Sequence, residues 1–301
     1  MNFLRLSDYL ISPIFQDDDI IAIDKPYGFN THTNESKVGN EDYVAHGLIE
    51  MFERQLGMPL FIVHRLDQTT TGVVIFAKSP EAAKKYAQYF FDKQVKKTYW
   101  FITGDKSQKS TFDIDEDIIH KGKDLPSQTG FNLIKRVPGF EFWEARPLTG
   151  RNHQIRIHAK AAGIPLLGDQ KYDGKKFPFL CLHNRKIEFP NGISIEAKPP
   201  VYFEDLSILD DLHLAVALHE SDRRQRLFKA TADSDQTYRL VHKVNESNDS
   251  GYNLDQFGKV LVLSWFEKSW QERHSLGFSK LSQVLGKPIL VKLMGNEKSN
   301  A

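Results

Sequence analysis

Residues 61–78, FIVHRLDQTTTGVVIFAK, decide how the chain is read. Phe61-Ile62-Val63 is an apolar approach, and Val73-Val74-Ile75-Phe76-Ala77 is a run that suits a strand buried on both faces. His64, Arg65 and Asp67 lie between them, so the carboxylate is delivered from rigid scaffold and not from a free loop. Thr69, Thr70, Thr71 and Gly72 supply residues able to turn the chain there. Two readings follow from these residues. In one, Asp67 caps the turn and pairs with Arg65; in the other, it is a group held ready for chemistry.

Working outward, Asp17-Asp18-Asp19 leads into a short strand, Ile20 to Ile23, which Pro26 and Gly28 break into a loop. Apolar positions Val44, Leu48, Met51 and Phe52 predict a helix over 41–56. A second helix is expected from Ser79 to Val95. Ser79 suits its N-cap, Pro80 its first turn and Glu81 the positive end of its dipole. Ala83, Tyr86, Ala87, Phe90 and Phe91 give it one apolar face for the core. The strand Val95–Ile102 places Thr98, Trp100 and Ile102 on one side and Lys97, Tyr99 and Phe101 on the other. Segments 104–130 read as loops around a short strand. FNLIKRV and FEFWEARPL form a pair joined by a Pro138-Gly139 turn. Residues 150–158, GRNHQIRIH, alternate as a strand that sets Gln154, Arg156 and His158 against Ile155 and Ile157.

Three of these segments carry a resemblance. HRLDQTTTG (64–72) resembles HRLD-x-x-T-[ST]-G of the RluA family of pseudouridine synthases. Lys97-Thr98-Tyr99 resembles its K-x-Y segment, and TGRNHQIRIH (149–158) its TGR-[TS]-HQIR-[VI]-H, with Asn152 in place of Thr or Ser. DDDIIAIDKPYGFNTH resembles the family's opening motif with Asp24 for the usual asparagine. AKAAGIPLLGDQKY resembles a later segment in which Gly168 and Asp169 shape a turn. The similarity spans about residues 10–205 and leaves no room ahead of Asp17 for the S4 domain of many members.

The resemblance implies an α+β fold: a mixed, largely antiparallel sheet with flanking helices over residues 1–205, followed by a small α/β accessory domain over 206–301. It implies an isomerase that converts a specific uridine of structured RNA to pseudouridine; the similarity of the tail to an rRNA-enzyme module favours ribosomal RNA, with tRNA close behind. Asp67 would be the nucleophile and Arg156 its partner. Tyr99 and Ile155 would contact the everted base, and Arg65 would help occupy the gap it leaves. No cofactor and no metal are implied. The alternatives are a catalytically inactive RNA-binding relative and a metal-dependent hydrolase built on His64, Asp67, His153 and His158. The two histidines His153 and His158 are ill-spaced for one strand face or one helix face.

Composition sets limits. With a net charge of +1, any RNA affinity must come from a local patch. The single cysteine, Cys181, excludes an internal disulfide and a Cys-based zinc site and suits a reducing cytoplasm. No apolar run approaches the ~18 residues of a membrane helix, and the N-terminus lacks a signal-peptide pattern. RNA is the expected partner, with no membrane, no disulfide-linked partner and a monomeric state. Residues 206–301 resemble the small domain that precedes the catalytic domain of certain large-subunit rRNA methyltransferases, through TYRLVHK and YNLDQFGKVLVL. This module is expected to contact RNA or to stabilise.

Overall fold

The computed structural model describes residues 11–38, 41–45, 47–120, 122–227, 237–241, 252–265, 277 and 279–293. It divides into two compact units, Met1–Pro199 and Pro200–Ala301. The break falls between two prolines, six residues ahead of the boundary expected from sequence.

The first unit opens with β1 (Pro13–Gln16), β2 (Ile20–Lys25), β3 (Asn34–Val38), β4 (Glu41–Ala45), α1 (Leu48–Leu56), β5 (Phe61–Ile62) and β6 (Thr71–Ala77). It continues through α2 (Pro80–Phe91), β7 (Lys96–Thr103), β8 (Thr111–Asp115), β9 (Ile118–His120), β10 (Lys123–Leu125), β11 (Gln128–Val137) and β12 (Phe140–Pro147). It closes with α3 (Gln154–Ala161), β13 (Leu182–Glu188) and β14 (Ser194–Glu196). The main sheet runs β1-β2-β6-β13-β7-β12-β11-β8. β6 and β13 pair in parallel and the other neighbours along this path are antiparallel. The fold is therefore the mixed α+β arrangement expected.

β6 is buried at every residue. Its even and odd side chains serve opposite faces, as the two-residue period of a strand requires. Val74 and Phe76, with Ile21 and Ile23 of β2, pack under Leu48, Met51 and Phe52 of α1. Val73 and Ile75, with Ile20 and Ala22, pack under Tyr86 of α2. A third cluster joins Phe101, Phe131 and Trp143 of β7, β11 and β12 to Ile155 and Ala159 of α3. A central strand covered on both faces has no room for alternation, which is why VVIFA is apolar throughout. Gly72 is the one exception the backbone demands. Its φ is +108°, and a Cβ there would sit 2.2 Å from the Asn184 carbonyl oxygen, across the β6–β13 pair. It marks a close approach of two strands, and the turn itself lies earlier, where Thr70 N donates to Asp67 O at 3.0 Å.

Several local expectations are corrected. The helix expected over 41–56 is confined to α1, because 41–45 pairs with β3 and Gly47 has no space for a side chain: a Cβ would lie 2.2 Å from His32 C. α2 has the Ser79 cap, whose side chain accepts from Ala82 N at 3.1 Å, but stops at Phe91. The face it buries runs through Ala82, Tyr86, Tyr89 and Phe90, so Phe91 is 81% exposed. Segment 104–130 holds β8, β9, β10 and the start of β11 rather than one short strand. Residues 154–158, read as part of a strand, lie in α3, which runs Gln154–Ala161. The alternation of QIRI spans too few positions to separate the two periods, and Ala159, Ala161 and Ala162 favour continuing as a helix.

The second unit contains α4 (Leu212–Leu227) and a sheet of β15 (Thr237–Val241), β16 (Tyr252–Phe257), β17 (Val260–Trp265) and β18 (Ile289–Leu293). The strands lie in sequence order, antiparallel except for the parallel pair β17–β18. Expectations for 242–251 fall outside the described residues. Among the described residues, no helix is long and apolar enough to cross a membrane.

Candidate active site

The loop that carries Asp67 leaves β5 and enters β6, and both ends are paired into the main sheet. Between them the loop is tied by its own backbone. Thr31 Oγ1 donates to Leu66 O and accepts from Leu66 N, both at 3.2 Å. Gly28 N donates to Gln68 O at 2.9 Å, and Gln68 returns a bond to Gly28 O at 3.1 Å. Lys25 is fully buried, and its ammonium donates to the carbonyls of Pro26 (3.1 Å), Gln68 (3.0 Å) and Thr70 (2.8 Å). Three donors meet three acceptors, which is the full capacity of an ammonium group. Burial pulls the Lys25 pKa down to about 7, opposed by the carboxylates of Asp67 and Asp24. Replacing Lys25 by Met leaves those carbonyls without this donor, so Lys25→Met is expected to cost about 2–4 kcal/mol in urea denaturation.

His64 is part of the same scaffold. Its Nε2 accepts from Ile75 N at 3.1 Å, and its ring stacks on Phe90 at 5.1 Å between centroids. Burial first, and then the charge of Lys97, pushes its pKa down to about 3, so the ring stays neutral and can accept.

A pocket with about 620 Å³ of empty space lies in front of this loop. Asp67, Arg65, Tyr99, Ile155 and Arg156, the five residues singled out in the sequence, all line it. Arg156 donates from Nη1 to Asp67 Oδ2 at 3.4 Å, a long contact. Its stronger partner is Asp169, which it grips from Nε and Nη2, both at 2.7 Å, with the Asp169 side chain fully buried. The guanidinium also lies 5.0 Å from the centre of the Tyr172 ring. Its pKa rises because its hydrogen bonds and charge contacts with Asp169 and Asp67 outweigh the opposing effect of burial, which is the largest single influence. Thus Arg156 does reach Asp67, but from a helix, and with its fork committed elsewhere.

Asp169 follows Gly168, where φ is +82° and a Cβ would fall 1.9 Å from Phe179 O, so only glycine fits. Leu167 N donates to Ile102 O at 2.7 Å, which fixes this turn to β7. The sequence reading had Asp169 shaping a turn; it also anchors the arginine. The visible signals were an aspartate next to a glycine, which turns share, and its place in the family-like segment AKAAGIPLLGDQKY; neither shows that it grips an arginine.

His153 was considered only as a metal ligand. It caps α3 in a left-handed conformation, φ 56° and ψ 21°, uncommon for a residue with a side chain. Nε2 lies 3.5 Å from Asp67 Oδ2, and Nδ1 shares a hydrogen with the Tyr172 hydroxyl at 2.8 Å. Burial, the largest influence, lowers its pKa, opposed by the charge of Asp67. His158 turns away to Thr129 Oγ1 (2.9 Å) and Ser127 Oγ (3.3 Å). The four residues of the metal reading therefore do not converge, and among the described residues no three His, Cys, Asp or Glu side chains are grouped as ligands. Gln154 joins the Thr149–Arg151 loop to β11. Its Oε1 accepts from Thr149 Oγ1 (2.7 Å) and Arg151 N (2.9 Å), while Nε2 donates to Gln128 O (2.8 Å).

Tyr99 on β7 packs against two of the core clusters. Burial, with a smaller push from Asp67, raises its phenol pKa, so it stays protonated. Beside it, Lys97 donates to Thr149 O at 2.8 Å, and burial lowers its pKa to about 8. Arg65, which an extended segment would point away, is exposed at the pocket.

Residues 19–161 match the family model described as RNA pseudouridylate synthase. The chain is 34% identical over 223 residues to ribosomal large subunit pseudouridine synthase C of Rickettsia felis, covering 66% of this chain and 70% of that one. An RNA pseudouridine synthase of Haemophilus influenzae is 29% identical over 221 residues, covering 66% and 95%. The solved structure of human RNA pseudouridylate synthase domain containing 4 shares the fold, with a TM-score of 0.53 and 24% identity over 64% of this chain and 90% of that one.

Proposed function

This chain belongs to the RNA pseudouridylate synthase family and is an isomerase; from that premise we propose that it converts a specific uridine of large-subunit ribosomal RNA to pseudouridine, with Asp67 as the reacting carboxylate. The reaction breaks the bond between N1 and C1′, turns the base and joins C5 to C1′, while the proton on C5 is lost and N1 gains one. Atoms balance within the nucleotide, and no redox carrier is consumed.

One observation carries this reading: Asp67 sits on a loop held by buried backbone bonds, facing an open pocket, with a guanidinium and a tyrosine beside it. The Arg156 guanidinium, 3.4 Å from Asp67 Oδ2, holds a positive charge beside the carboxylate that attacks. Because Asp169 already fixes the guanidinium, Arg156 need not reorganise as charge moves on Asp67. The N1–C1′ bond is hidden in a stacked helix, so the uridine is everted into the pocket. Tyr99 and Ile155 flank the base, stacking on an aromatic ring contributing about 1–3 kcal/mol. Arg65, exposed at the pocket, takes the space the nucleotide vacates. The second unit is read as an accessory RNA contact, and the enzyme works in the cytoplasm.

Mapping pseudouridines in total RNA, with and without the gene, tests the assignment. Loss of signal at one or a few large-subunit rRNA positions is expected. Loss confined to tRNA overturns the choice of RNA. RNA binding by the purified protein with no position lost points to the inactive relative.

A further inference from the structure

A second groove, with about 740 Å³ of empty space, adjoins the pocket and shares Lys97 and Pro147 with it as common walls. Lys93, Lys96, Lys97 and Arg146 line this groove against a single carboxylate, Glu188, a local excess of three positive charges (four minus one). The whole chain carries only +1. Arg146 is partly neutralised by Glu144 at 2.8 Å, and Glu188 is paired with Lys186 at 3.2 Å. Lys93 and Lys96 are exposed, and among the described residues neither forms an ion pair. Lys93 also holds a φ of +56°, just past the end of α2, where glycine is the usual occupant. A lysine kept at such a position costs stability, and strained residues of this kind gather at functional sites.

We propose that this groove carries the phosphodiester backbone of the RNA strand flanking the target uridine, with Lys93 and Lys96 contacting successive phosphates. The inference rests on reading the adjoining pocket as the uridine site. An everted nucleotide stays tied to its strand at both phosphates, so the strand must leave the pocket through an open side. The groove adjoins the pocket at Lys97 and Pro147 and has the right sign of charge. Leu148, 45% exposed at its edge, offers apolar contact to a ribose or base, which an acidic peptide has no equivalent need for.

The test measures binding of a fluorescein-labelled RNA hairpin with uridines in its loop, between about 50 and 200 mM salt. The double variant Lys93→Gly, Lys96→Gln is compared with wild type and with Lys135→Gln, an exposed lysine on β11 that lines neither the pocket nor the groove. Each single-strand phosphate contact contributes about 0.7 to the salt slope, so the double variant's slope is expected to be shallower by about 1.4. The affinity gap to wild type then narrows about sevenfold across that range. Glycine relieves the strain at position 93, so thermal stability should not fall, and a binding loss cannot be charged to misfolding. An unchanged slope overturns the proposal, as does an equal loss in the Lys135→Gln control. Labelled polyglutamate that binds as tightly as the RNA, with the same loss, also overturns it in favour of an acidic peptide. Wild type that binds with a steep slope but forms no pseudouridine in any RNA overturns the uridine-site reading instead, so the two failures are told apart.

Discussion

Asp67→Asn is expected to lower pseudouridine formation by about 10⁴-fold or more, the size of effect seen when an acting group is removed from a nucleophilic site. The amide keeps the size and shape of the carboxylate but cannot attack or take up a proton. The fold should hold, because the loop is tied by Lys25, Thr31 and Gly28 through backbone groups and not through the Asp67 side chain. RNA affinity should stay within about threefold of wild type, since the phosphate contacts lie elsewhere and the guanidinium remains fixed by Asp169. Quantifying pseudouridine in RNA, alongside anisotropy binding, separates the two effects. Retained activity in this variant would falsify the assignment of Asp67.

Asp169→Asn should bring the largest loss of stability, about 3–5 kcal/mol in urea denaturation. Both oxygens of this fully buried carboxylate bind Arg156, and the amide that replaces one of them offers donors to a group that only donates. The arginine then keeps a bond to the one remaining oxygen at position 169, and the carboxylate charge left beside it is that of Asp67 at 3.4 Å. Activity at a temperature where the variant is folded should fall as well, because the guanidinium is less firmly held in its place beside Asp67. If the denaturation midpoint is unchanged, Asp169 is not the anchor described.

The parts of the site legible in the sequence are those a contiguous string can carry. HRLD, K-x-Y and HQIR name Asp67, Arg65, Tyr99, Ile155 and Arg156, and the structure gathers all five around one pocket. Lys25, Asp169 and Tyr172 lie in segments legible as motif-like loops and turns, but nothing local shows what they hold. A lysine ending a strand and an aspartate after a glycine are common surface features, and burial is what changes their meaning. Lys25 reaches Thr70 across 45 residues and Arg156 reaches Asp67 across 89. No window of sequence contains both ends of such a bond.

The sequence by itself determined the apolar run of β6, the cap of α2, the hairpin at Pro138-Gly139 and the family, since each depends on neighbouring residues or on an unbroken motif. Only the tertiary structure decided that residues 154–161 coil instead of extending, that 41–45 joins a strand, and that Asp169 rather than Asp67 holds the fork of Arg156. Those choices turn on which distant surface is available to bury a side chain or pair a backbone group, and that is known only once the chain has closed on itself.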